Sequence, residues 1–325
     1  MGDAAGIGPE LIVKSLQQKQ TTADLDALVI GDAVIMEQAI RALGTDLKIN
    51  VCASPSDADF SEKLINVIDM KLLEASDFAK GEVNAKTGKA AVLYTEKAVQ
   101  MAIDHQIDAI ASAPVNKEAM HLAGYDFAGV TELVAHLTKT EKFAMVLVFG
   151  PIRLFYVANH ISMKKVFDSI KKDIILEKIQ VVNRSLGDFG IEHGKIAVAA
   201  FNPHGGEGGA MGDEEINEII PAIDAAKAKG IDALGPFPAD TIFINGREGE
   251  FDAILAMYHD QGNIAAKLMD FGAGVTVVAG LPIIRTSVAH GTAFDIAGKG
   301  IAIPDTYITA IKTASQIAIK QGFVH

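Results

Sequence analysis

Residues Ala253-Ile254-Leu255-Ala256-Met257-Tyr258-His259-Asp260 decide the fold class. Five apolar residues stand in a row and then give way to Tyr, His and Asp. The run is too short for a helix, and it is apolar at successive positions rather than alternate ones. It therefore reads as a strand covered on both faces. The same pattern recurs at 27–32, 107–115, 144–149, 154–158, 196–201 and 275–279, most runs closing on Gly, Pro, Asn or His. Helical patterns lie between them at 86–105, 214–229 and 306–321. Alternation of this kind predicts an α/β fold in layers. At ~150 residues per domain, 325 residues predict two domains. No linker or internal repeat separates them, so they are expected to interleave. Residues 1–127 plus 268–325 form the first, and 128–267 the second.

Composition narrows the function. Apolar residues make up 49% and charged residues 22%, which excludes a disordered chain. Net charge is −12, from 29 basic and 41 acidic residues, and no basic block is present. Nucleic acid is thereby excluded as a partner, because phosphate-backbone binding needs clustered Lys and Arg. A single cysteine, Cys52, allows neither an intrachain disulfide nor a Cys-based zinc finger, and suits a reducing cytoplasm. No window approaches ~18 uninterrupted apolar residues. Residues 1–10 lack the basic and apolar regions of a signal peptide, and Gly6 stands where N-myristoylation needs Ser or Thr. A cytoplasmic protein with no membrane partner is expected. Residues 2–10 read as a loop entering a helix, with Pro9 in its first turn. Such loops follow a strand. Either the sheet lacks that strand or the start is late.

Polar residues cluster where the strands end. Asn159-His160, Asn202-Pro203-His204 and Tyr258-His259-Asp260 each follow an apolar run. In open α/β sheets ligands bind beyond the carboxyl ends of strands. Three imidazoles there can share one divalent metal. The spacings, 44 and 55 residues, are long and match no short metal motif, so three unrelated polar strand ends is the competing reading. The glycine-rich stretch 202–209 lets backbone amides approach an anion, but it is neither a Walker loop nor G-x-G-x-x-G. Lys117 joins a strand to a helix, where it can hold a phosphate or carboxylate, or lose its proton if buried. Residues 290–300 pack small side chains around His290 and Asp295, and an Asp can accept hydrogen bonds from ribose hydroxyls.

Together these motifs resemble the 4-hydroxythreonine-4-phosphate dehydrogenase family of vitamin B6 biosynthesis. The matching stretches are GDAAGIGPE (2–10), SAPVNKEAM (112–120), ANHI (158–161), NPHGGEGG (202–209), GPFPADT (235–241), AMYHDQG (256–262), GLPIIRTS (280–287) and HGTAFDIAGKG (290–300). A weaker likeness links the first and last to isocitrate and isopropylmalate dehydrogenases. The resemblance implies two α/β/α domains with the active site in the cleft between them. It implies that His160, His204 and His259 bind one divalent metal per site, zinc or else manganese, cobalt or magnesium. Sites shared between the subunits of a homodimer are implied too. Thr131, Lys267 and Arg285 match substrate-binding positions, and Thr276 stands where the family has Asn. Asp240 and Asp260 match acidic positions near the metal. His290, Gly291, Thr292, Ala293 and Asp295 match the NAD loop, with NADP the alternative cofactor.

The chain departs from the family pattern at Val130, where a histidine is usual, and at Thr276 and Ala289. Together with the 113–124 stretch this resembles a side branch that oxidises 4-phospho-D-threonate or 4-phospho-D-erythronate. The implied reaction is metal-dependent, NAD-linked oxidation with decarboxylation to dihydroxyacetone phosphate and CO2. Lys117 is the expected base or relay, with Asp260 second. The alternatives are 4-phosphohydroxy-L-threonine oxidation, oxidation of a cis-dihydrodiol carboxylate, and a metabolite-binding homologue without catalysis.

Overall fold

The computed structural model describes residues 1–18, 25–269 and 274–322. Among them are eleven strands: β1 Leu28–Gly31, β2 Lys48–Cys52, β3 Leu64–Asp69, β4 Ala109–Ser112, β5 Ala144–Phe149, β6 Ile152–Ala158, β7 Ile196–Ala199, β8 Ala233–Phe237, β9 Ala253–Tyr258, β10 Val275–Ala279 and β11 Ile284–Val288. Helices separate most of them, as the alternating pattern predicts. No described helix is long and apolar enough to cross a membrane.

The chain divides into two compact units, 1–143 with 281–325 and 144–280. The boundaries thus differ from 127/128 and 267/268. Helix Val130–Leu137 packs on helix Ala85–Ile103 and stays with the first unit. Strand β10 pairs with β5 and helix His259–Met269 packs on β9, so both belong to the second.

In the first unit β1, β3 and β2 form a parallel sheet in that order, and β4 pairs in parallel with β11. Val29 points to a cluster with Leu11, Ile12 and Tyr307, whereas Ile30 joins Tyr94 and Ala98. Successive residues thus bury on opposite faces, which is why the run lacks alternation. Asn84 starts helix Ala85–Ile103 by accepting the Lys86 amide at 2.8 Å.

In the second unit the strand order is β10-β5-β6-β9-β7-β8. The β10–β5 and β5–β6 pairs are antiparallel, and β6, β9, β7 and β8 run parallel. Leu154, Ala197, Ile254 and Ala256 are buried in one core. The helix expected at 214–229 is present over 214–227, and its first part, Glu215–Ile219, is a π turn that runs unbroken into α-helix Ile220–Lys227. Pro221 has no amide hydrogen, so the ladder must change at that point.

Candidate active site

The parallel order β6-β9-β7 puts the three histidine-bearing segments side by side in the second unit. Asn159-His160 leaves the carboxyl end of β6. His259 opens the helix directly after β9. Asn202–His204 follows β7. The rings of His160 and His259 lie 5.4 Å apart, and Tyr156 stacks on His259 at 6.1 Å. His259 Nδ1 contacts Asp260 Oδ1 at 2.6 Å, which orients the ring and leaves Nε2 for another partner. His160 has φ 50°, a left-handed conformation that a non-glycine residue holds at a cost. Gln261 ties β9 to β7: its Oε1 accepts the Met257 amide at 2.7 Å and its Nε2 donates to the Ala200 carbonyl at 2.8 Å.

His204 sits in a run of left-handed residues, with φ of 54° at His204, 69° at Gly205, 79° at Gly206, 46° at Glu207 and 64° at Gly208. Glu215 anchors this loop. One carboxylate oxygen accepts the Phe201 and Asn202 amides at 2.8 and 2.7 Å, and the other accepts Asn202 Nδ2 at 2.9 Å. Burial would raise the Glu215 pKa, but these amides outweigh it and hold the carboxyl below its ordinary value. Among the described residues no three His, Cys, Asp or Glu side chains converge tightly enough within one chain to form a metal group. The structure thus pairs His160 with His259 and places His204 on the neighbouring loop. Asp240 is exposed after β8, Lys267 is exposed about two turns along the helix from His259, and Thr276 is half-buried on β10.

The first unit buries a guanidinium. Arg285 on β11 is 4% exposed. Its Nε donates to Ser112 Oγ at 3.2 Å and its NH1 to Thr131 Oγ1 at 3.0 Å. Burial pushes the guanidinium down to about 10, opposed by the charge of Glu132. No carboxylate lies within ion-pair distance of it among the described residues, so its hydrogen bonds go to hydroxyls while Glu132 acts on it from further off through its charge. Thr131 lies in the first turn of helix Val130–Leu137, where the helix dipole also favours an anion. Lys117 reaches the same turn. A side chain added at Gly129 would meet Lys117 Cε at 3.3 Å and Nζ at 3.6 Å. Sequence reasoning named Lys117, Thr131 and Arg285 but missed Ser112, whose position opening the SAPVNK stretch was the available signal.

The loop expected to hold NAD packs on the glycine-rich start of the chain. The Ile7 amide donates to the Thr292 carbonyl at 3.1 Å, and a Cβ on Gly6 would stand 2.9 Å from Thr292 Cβ. Ala293 has φ 43°, His290 Nδ1 contacts the Gly291 carbonyl at 3.0 Å, and Asp295 is exposed. Three further residues hold this region. Glu10 accepts the Ala302 amide at 2.7 Å. Lys14 donates to the Gly300 and Ala302 carbonyls at 2.8 and 2.7 Å. Lys80 donates to the Ala4 carbonyl at 2.6 Å.

Comparison with known proteins places this geometry. A family model described as pyridoxal phosphate biosynthetic protein PdxA matches residues 23–314. The chain is 43% identical over 324 residues to the D-threonate 4-phosphate dehydrogenase of Cupriavidus necator, covering 99% of this chain and 97% of the relative. To the D-threonate 4-phosphate dehydrogenase of Pectobacterium atrosepticum it is 42% identical over 320 residues, covering 98% of each. A crystal structure described as 4-hydroxythreonine-4-phosphate dehydrogenase from Klebsiella pneumoniae superposes with a TM-score of 0.89 at 42% identity, covering 98% of both chains. With a family match across most of its length and relatives above 40% identity end to end, the chain belongs to the pyridoxal phosphate biosynthetic protein PdxA family.

Proposed function

We propose that this protein is a metal-dependent, NAD-linked dehydrogenase that oxidises and decarboxylates 4-phospho-D-threonate or 4-phospho-D-erythronate to dihydroxyacetone phosphate and CO2. The observation that carries the reading is the buried guanidinium of Arg285, held by Ser112 and Thr131 with no carboxylate within ion-pair distance among the described residues. A charge kept in that state is costly unless an anionic ligand completes it. The fork of Arg285 grips a phosphate or carboxylate, and Thr131 adds a hydroxyl. Grip on a group remote from the reacting carbon positions the substrate. Lys117 Nζ, near the first turn of helix Val130–Leu137, is the base or relay for the hydroxyl proton, with Asp260 second. The names of the curated relatives support the D-threonate branch, and so does Val130, which cannot make an imidazole's hydrogen bonds.

His160 and His259 fit a divalent metal, because their rings are 5.4 Å apart and both present nitrogen donors. His204 would be the third ligand, with Asp240 and Asp260 nearby acids. Such an ion, zinc or else manganese, cobalt or magnesium, lowers the pKa of a substrate hydroxyl and stabilises enolate charge. The 290–295 loop fits NAD, with NADP the alternative: its small residues let a backbone approach a ligand, and Asp295 is free to meet a ribose. Lys267 and Thr276 remain substrate positions in this reading. A cytoplasmic homodimer with shared sites belongs to it too. Ile161, Met163 and Phe167, which follow His160 directly, are 43%, 52% and 56% exposed, an apolar surface that a second copy would cover.

NADH formation measured on 4-phospho-D-threonate, 4-phospho-D-erythronate and 4-phosphohydroxy-L-threonine, with each metal added back to stripped protein, tests the proposal. Turnover is expected on the first two and to vanish in His204→Ala. Full activity of that variant without metal, or turnover of 4-phosphohydroxy-L-threonine alone, would overturn it.

A further inference from the structure

The first turn of helix Val130–Leu137 carries a charged group that the reaction above leaves unused. Glu132 is exposed there, one residue after Thr131. Its Oε2 lies 3.1 Å from the point where a side chain on Gly129 would begin, and Lys117 Nζ lies 3.6 Å from the same point. The carboxylate and the amine thus converge on one side of the Gly129 backbone. They do not pair with each other, and no ion pair among the described residues includes either of them.

Gly129 keeps this arrangement open. Its φ of 174° is extended backbone that any residue adopts, so conformation does not call for glycine. Space does, because an added Cβ would also meet Lys117 Cε at 3.3 Å, tighter than ordinary van der Waals contact. The charge of Glu132 reaches inward as well. It acts on the buried guanidinium of Arg285, whose NH1 donates to the hydroxyl of the neighbouring Thr131.

The chemistry of the two groups selects what fits between them. A carboxylate accepts hydrogen bonds and a lysine amine donates them. A group set between the two must therefore donate to one and accept from the other. An ammonium satisfies Glu132 but is repelled by Lys117, and a carboxylate meets the reverse. A hydroxyl satisfies both without adding charge.

We infer that Glu132 is a specificity-determining residue that recognises, together with Lys117, a substrate hydroxyl next to the one oxidised. That hydroxyl donates to Glu132 Oε2 and accepts from Lys117 Nζ. The inference rests on the substrate class proposed above, and in 4-phospho-D-threonate the hydroxyl concerned is the one beside the carboxylate. A site built to bond a hydroxyl rejects the analogue that lacks it, because both protein groups are then left without that partner.

The test pairs 4-phospho-D-threonate with its 2-deoxy analogue, which keeps the oxidised hydroxyl, the carboxylate and the phosphate. Two readouts are taken on each: kcat/KM for NADH formation, and the dissociation constant from the ligand-induced rise in thermal midpoint, which needs no turnover. The parent is expected to prefer the hydroxylated compound by about tenfold or more in both. Glu132→Met should remove that preference. Glu132→Gln, which keeps an acceptor oxygen, should retain most of it. Equal losses on the two compounds in Glu132→Met, with a lower midpoint in the free protein, would make Glu132 a helix-capping residue and overturn the inference. A parent that does not distinguish the compounds would overturn it too. A binding preference without NADH formation would instead refute the proposed reaction and leave the hydroxyl contact standing.

Discussion

Replacing Arg285 by Met separates binding from stability. Burial lowers the guanidinium from its ordinary value to about 10, which corresponds to about 3 kcal/mol of destabilisation. The sign follows from the protonated state. A folded pKa below the unfolded one penalises the cation wherever it is charged, so from pH 5 to 9 the penalty is present in full and constant. Against it stand two hydrogen bonds from a charged donor, to Ser112 and Thr131, at ~1.5 kcal/mol each. The terms nearly cancel. Arg285→Met should therefore leave the thermal midpoint within about 4 °C of the parent, since 1 kcal/mol moves a chain of this size by only ~2–4 °C. Activity should behave differently. Loss of a buried, hydrogen-bonded charge from an anionic ligand costs ~2–5 kcal/mol, or about 30- to 5,000-fold in kcat/KM. Arg285→Lys, which keeps the charge and loses the fork, should raise KM by more than it lowers kcat. Calorimetry and NADH formation on the phosphorylated substrates measure both. A midpoint drop beyond 10 °C would make Arg285 a structural keystone, and a kcat/KM within fivefold of the parent would refute the anion seat.

Glu215→Gln should loosen the 201–208 segment, lower stability by ~1–3 kcal/mol and weaken metal retention as read by elemental analysis. Because the Glu215 pKa is lowered in the fold, its stabilisation is present above the ordinary carboxylate value and is lost as pH falls below it. The variant's acid unfolding curve should accordingly be shallower. Gly6→Ala forces a Cβ to 2.9 Å from Thr292, so KM for NAD should rise well before kcat falls, at a cost of ~1–3 kcal/mol in the loop. His160→Ala and His259→Ala should each reduce bound zinc or manganese at least tenfold while the far-UV circular dichroism stays unchanged.

Much of the architecture is legible in the residues because fully covered strands advertise themselves. The runs at 144–149 and 275–279 are β5 and β10 residue for residue. Strand β11, Ile284–Val288, escapes the same reading because Arg285, Thr286 and Ser287 interrupt its apolar run. Arg285 and Thr286 are buried through hydrogen bonds to Ser112, Thr131 and the Ala310 carbonyl, so polar contacts replace the apolar signal there. Strand β8 hides behind Gly235 and Pro236, and β2 buries only Cys52 fully, with Lys48 and Val51 exposed. Each histidine could be placed at a strand end from local sequence. That β6, β9 and β7 are neighbours could not, because strand order is set by crossovers spanning dozens of residues. The partners of Arg285 come from positions more than 150 residues away, which spacing does not reveal.

The loop that carries His204 turns with the opposite hand to the helices around it. For a polymer of L-residues this makes chirality, rather than room, the filter on its mutations. Gly205 and Gly208 have open space where a side chain would start, yet φ of 69° and 64°. L-Ala at either site should distort the loop despite that space, whereas a D-alanine introduced by chemical ligation should be accepted and should stiffen it. The segment's composition is thus a record of its mirror-image path, and a stereochemical swap is the gentlest way to probe how much of the enzyme's turnover depends on that path holding still.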